Sequence, residues 1–97
     1  MKEKLYDYDF ADGLQDQESI ETFMNSAFET GNAAHIANAF GIVARAKGMT
    51  KIAKKTGLSR EQLYQTFSEN GNPTLKTILS VMNALGFDMM VKTHVVC

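Results

Sequence analysis

Cysteine occurs once in these 97 residues, as the last of them, Cys97. A single thiol closes no internal bridge and builds no cysteine metal site, so a disulfide framework is excluded. Histidine occurs twice, at His35 and His94. The two are far apart in sequence, and no Cys, Asp or Glu stands beside either at ligand spacing, so no metal is expected. No apolar run approaches the roughly 20 residues that a membrane-spanning helix needs. The opening stretch, Met-Lys-Glu-Lys-Leu-Tyr-Asp, has none of the apolar character of a signal peptide. A cytoplasmic protein without membrane contact is therefore expected. No glycine-rich phosphate loop is present, because Gly41, Gly48 and Gly57 fall inside helical patterns or at their ends. Ser19, Ser26, Ser59, Ser68 and Ser80 have no base nearby in sequence, and carboxylates cluster only in the N-terminal part. Neither an enzyme nor a cofactor is expected.

The chain does have enough apolar side chain to fold. Hydrophobic residues make up 44%, with six Phe and six Met, which places it among globular chains of one domain. The net charge of -1 conceals two halves of opposite sign. Up to Gly31, Lys2 and Lys4 stand against Glu3, Asp7, Asp9, Asp12, Asp16, Glu18, Glu21 and Glu29, a net of -6. From Asn32 on, eight basic residues stand against Glu61, Glu69 and Asp88, a net of +5. The basic half suits a polyanion. The acidic half is either a solvated face or the contact for a basic partner.

Residues 1–17 read as an acidic arm, in which Tyr6, Tyr8 and Phe10 alternate with Asp7 and Asp9. The arm is open to three readings: disordered, a strand closing on residues 88–96, or a partner-binding segment. Residues 18–87 read as one helical domain. Ile20, Phe23, Met24, Ala27 and Phe28 form a helical stripe over 18–30, capped by Ser19 or an upstream Asp. Ile36, Phe40 and Val43 mark a second helix over 33–47, capped by Asn32 and stopped by Gly48. Two short helices over 50–56 and 60–69 follow, with Ser59 as the cap of the second. Leu75, Ile78, Leu79, Met82 and Leu85 predict a last helix over 74–85 with these five on one face. Residues 88–97 alternate and become β-branched, which predicts a short terminal strand, placed to pair with its mate across a two-fold axis.

The segment from Met49 to Phe67 carries the functional signal. Ala53 is small where two helices would cross, and Gly57, four residues on, tolerates the turn between them. Ile52, Leu58, Leu63 and Phe67 are apolar at inward positions. Arg60, Glu61, Tyr64 and Gln65 are left outward on the second helix, flanked by Gln62, and such side chains can hydrogen-bond base edges. Lys51, Lys54 and Lys55 on the first helix, with the N–H groups near Thr50, suit phosphates. The expected fold class is all-α, a five-helix domain with a helix-turn-helix that binds double-stranded DNA.

Gly48 to Phe67, followed by Asn70-Gly-Asn-Pro-Thr-Leu-Lys-Thr-Ile-Leu-Ser-Val-Met-Asn-Ala-Leu-Gly86, resembles the lambda-repressor-like (Cro/CI) DNA-binding domain. Phe10 to Leu14, Ala33 to Met49, Gly57 to Tyr64 and Gly71-Asn-Pro73 narrow the resemblance to HigA-like antidotes of toxin–antitoxin addiction modules. The similarity spans about Asp9 to Phe87. It implies that the protein neutralises a small, basic RelE/ParE-like toxin. It also implies that a homodimer binds operator DNA and represses its own operon. Carried over by residue, it implies base contacts at Ser59, Arg60, Glu61, Tyr64 and Gln65, and phosphate contacts at Thr50, Lys51 and Asn70. The acidic segment from Tyr6 to Glu29 is the physical choice for the toxin contact, led by Tyr6, Asp7, Tyr8, Asp9 and Phe10, because opposite charge speeds encounter and aromatics supply affinity.

Two rival readings are a stand-alone repressor and an interaction module without DNA binding. Replacing Asp7, Asp9, Asp12 and Asp16 with Asn is expected to weaken toxin binding and leave operator affinity equal or higher, as measured by titration. A tighter toxin complex would contradict the acidic contact.

Overall fold

Asp16 starts the described part of the chain. In the computed structural model, residues 16–94 are described. The expectations for Tyr6 to Phe10 and for the arm before Asp16 lie outside those residues, as do positions 95–97. The Asp16 Oδ1 accepts the Ser19 N–H at 2.7 Å and caps α1, Gln17–Glu29. Asp16 thus belongs to the helix rather than to the arm. The hydrogen bonds from the Ser19 N–H and then the Ser19 hydroxyl, with a smaller contribution from Lys47, lower its carboxyl below the ordinary 3.8. The cap's contribution to stability is therefore present above that ordinary value and is lost as pH falls through the lowered one.

Each later helix also has a local reason to begin and end. α2, Ala33–Lys47, is capped by the Asn32 side chain, which accepts the His35 N–H at 2.9 Å. Gly48 ends α2 and opens α3, Met49–Thr56, so the two helices share one terminal residue. α3 stops at Gly57, whose φ of 80° is left-handed and costs a residue with a Cβ considerable strain. The Ser59 cap starts α4, Arg60–Thr66, and the Thr74 cap starts α5, Leu75–Leu85.

α2 is the hub. It packs against α1, α3, α4 and α5, while α3 also packs on α4 and α5. The core joins Ile20, Met24 and Ala27 of α1 to Ala39, Phe40, Val43 and Ala44 of α2. Ile52 and Leu63 enter from α3 and α4, Phe67 from the end of α4, and Val81, Met82 and Leu85 from α5. Phe40 meets Phe28 and Phe67 edge to face, with ring centroids 5.9 and 5.8 Å apart. Such pairs add about 0.5–1.5 kcal/mol beyond burial. Beside Phe40, Gly41 lies against the Phe67 carbonyl so closely that an added Cβ would run into that oxygen.

Three expectations are corrected. α4 ends at Thr66 and not Glu69, because Phe67 leaves helical geometry to turn its ring into the core. The chain then bends, with the Ser68 hydroxyl donating to the Gln65 carbonyl and the Gly71 N–H donating to that of Ser68, both at 3.0 Å. α5 is rotated relative to the expected face. Ile78, Val81, Met82 and Leu85 turn inward, while Leu75 is 61% exposed and Leu79 44%. α2 and α3 take one side of α5 and leave the adjoining turn positions uncovered. Finally, residues 88–94 form no strand. A strand needs a neighbour to take its N–H and C=O groups, and among the described residues no other strand exists.

Gly41→Ala is expected to lower stability by about 1–3 kcal/mol, the usual range for overpacking a filled core. Denaturant unfolding measures it, and a neutral effect would mean that the α2–Phe67 contact yields easily.

Candidate functional site

α3 and α4 sit side by side, joined by Gly57, Leu58 and Ser59. The joint is tied by side chains. The Thr56 hydroxyl donates to the Ile52 carbonyl at 2.8 Å and accepts the Leu58 N–H at 3.3 Å. Ile52, Leu63 and Phe67 are fully buried, and Ala53 and Leu58 partly so, as the apolar pattern predicts. Burial of side chains this large contributes about 1.5–3 kcal/mol each. That anchors one side of α4 and leaves the other outward.

On the outward side stand Arg60, Glu61, Tyr64 and Gln65, all exposed. Tyr64 keeps 42% of its surface in solvent. Ser59 is exposed as well, but its oxygen already accepts the Gln62 N–H at 3.0 Å, and the Gln62 Oε1 accepts the Ser59 N–H at 2.9 Å. This reciprocal capping box holds the start of α4. The first duty of Ser59 is therefore structural, and Gln62 is tied to the same end.

The expected phosphate positions divide. Thr50 is exposed in the first turn of α3, where no side chain caps the helix, so its leading N–H groups remain for an outside acceptor. Lys51 and Lys55 are exposed, and they line a cleft of about 230 Å³ together with Lys47, Asn83, Ala84 and Gly86. This cleft lies at the C-terminal end of α5, whose last carbonyls favour nearby positive charge. Lys54 is exposed outside that cleft. Asn70 is exposed in the bend between α4 and α5, apart from the lysine row. Lys47 is the member that the sequence did not single out. Its signal is the spacing Lys47, Lys51, Lys55, four residues each, obscured by the helix break at Gly48.

His35 is exposed at the start of α2 and donates its N–H to the Asn32 cap. Among the described residues no three metal-binding side chains come together. No helix among them is long and apolar enough to cross a membrane.

Comparison with known proteins adds what the geometry does not contain. A family model described as probable addiction module antidote protein matches residues 4–93. An uncharacterized protein of Haemophilus influenzae is similar, 40% identical over 92 residues that cover 95% of each chain. No solved structure matches.

Ser59→Ala removes the oxygen that holds α4 and is expected to cost about 1 kcal/mol. Arg60→Ala removes no hydrogen bond or ion pair found among the described residues and should leave the melting temperature unchanged. Parallel thermal melts check the pair, and equal melting temperatures for Ser59→Ala and the parent would show that the capping box is dispensable.

Proposed function

The chain belongs to the family of probable addiction module antidote proteins, and from that premise we propose that it neutralises a small basic toxin of the RelE/ParE kind. We further propose that a homodimer of it binds operator DNA through a lambda-repressor-like helix-turn-helix and represses its own operon. Membership of the family gives the chain a role in a toxin–antitoxin system and a toxin as its partner. The kind of toxin, the DNA and the dimer are the further steps.

One observation carries the DNA-binding half: α4 is two-sided. Leu63 and the following Phe67 lock its inner side into the core, while Arg60, Glu61, Tyr64 and Gln65 project from a helix too short to need them for its own packing. In the major groove Arg60 pairs with guanine and Gln65 with adenine, in the geometry those side chains favour. The neighbouring α3 supplies what does not read sequence. Lys51, Lys54, Lys55 and the uncapped N–H groups near Thr50 face phosphates and fix the register of α4 on the duplex. Asn70 and the Ser59 hydroxyl proton add contacts at the far and near ends of α4. Local positive charge, rather than the chain's total, is what the duplex meets. A two-fold dimer would present two such helices to half-sites about one helical turn apart.

Footprinting on the DNA upstream of the module tests this directly. Arg60→Ala and Gln65→Ala are each expected to lose about 1–3 kcal/mol of discrimination, with non-specific binding retained. Lys54→Ala should weaken all sequences alike and reduce the salt slope by about one. Specific binding that survives both α4 substitutions would remove α4 from the role of reading helix.

A further inference from the structure

Adjoining the lysine cleft, and sharing Leu85 and Gly86 with it, lies a second concavity. It encloses about 320 Å³ between α1, Phe40 and the segment following α5. Its apolar walls include Met24, Phe28, Phe40, Met82, Leu85, Phe87 and Met90. Phe87 is held there by its N–H, which donates to the Met82 carbonyl at 2.9 Å. Met90 is 86% exposed and Phe28 39%, so the apolar lining opens to solvent. Leu79, one turn ahead of Met82 on α5, extends the apolar surface beyond the groove. The charged members of the rim are Glu21 and Asp88. α1 along the groove also carries Glu18 and Glu29 and has no Lys or Arg.

We propose that this groove is the docking site for the toxin, and that it takes an amphipathic helix of a basic protein, with the helix's apolar face in the groove and its Lys or Arg against Glu21 and Asp88. This rests on the toxin-binding reading above and moves the contact from the arm to a built surface. The shape suits a helix, whose apolar side chains one turn apart enter such grooves as anchors. Three of the seven large apolar lining residues are Met, a side chain that re-packs around an irregular guest. The sign of the rim selects the occupant. A second copy docked by two-fold symmetry would bring Glu21, Asp88 and the α1 carboxylates close to their own equivalents, an arrangement that costs affinity. The chain's own residues before Asp16 hold four acidic against two basic side chains and so share the sign of the rim. A basic partner uses both the apolar walls and the rim.

The test uses the full chain and the small protein encoded beside it in its module, measured by calorimetry and by association kinetics at two salt concentrations. The parent protein is expected to bind. Met90→Asp and Phe28→Ser should each weaken the complex by about ten-fold or more. Glu21→Lys should slow association and flatten its salt dependence. Met90 and Glu21 are both exposed, so their variants should melt as the parent does. Parent binding with unchanged affinity in Met90→Asp and Glu21→Lys overturns the groove while leaving the toxin reading in place. No binding by the parent overturns the toxin reading itself, and the groove with it. Loss of self-association in sedimentation by Met90→Asp, with partner affinity unchanged, assigns the groove to a second copy and overturns the proposal in that way.

Discussion

The approach of the α4 end to α2 organises the molecule. Phe67 sets its carbonyl against Gly41 and its ring edge-on to Phe40, and Phe40 in turn meets Phe28 of α1. Contact that close needs an α2 surface without side chain at position 41. It also ends α4 early, because Phe67 leaves the helix to make it. Once Phe67 and Leu63 are inside, the direction in which Arg60, Tyr64 and Gln65 project follows from helical geometry alone. The candidate reading surface is thus a consequence of core packing some distance away. Arg60, Glu61, Tyr64 and Gln65 can change at little cost to the fold, provided that Leu63, Phe67 and the Ser59–Gln62 capping box stay.

Charge is distributed about the same hub. α3 and the end of α2 bring Lys47, Lys51 and Lys55 to the carbonyl end of α5, while the charged residues of α1 are all acidic. The two signs flank adjoining concavities that share Leu85 and Gly86, one polar and lysine-lined, the other apolar with a carboxylate rim. The antidote family gives a reason for a protein partner.

Most of the local structure was legible beforehand because its causes are local. Asn32, Ser59 and Gly57 act within three or four residues of where they stand, and each caps or ends the helix expected of it. The inward set Ile52, Leu63 and Phe67 was legible from spacing. Ser59 was legible as a helix cap, while the family resemblance implied a base contact there, and geometry gives its oxygen to the cap. Lys47 was missed because the break at Gly48 hides a spacing that only the arrangement of α2 beside α3 restores. The exposed Leu75 and Leu79 were read as core because hydropathy does not record which side a neighbour takes.

Sequence by itself determined the five helices among the described residues, the caps Asn32 and Ser59, the opposite charge of the two halves and the side chains left outward on α4. These depend on hydrogen bonds and periodicities that close within a turn or two. Only the tertiary structure decided which stripe of α5 is buried, where α4 stops, and that Phe28, Met82 and Met90 share one groove. Those are long-range matters, settled by which surfaces fit against α2. The terminal segment shows the same division: its alternation favours a strand, but a strand exists only where another chain segment takes its hydrogen bonds, and residues 88–94 have none beside them among the described residues.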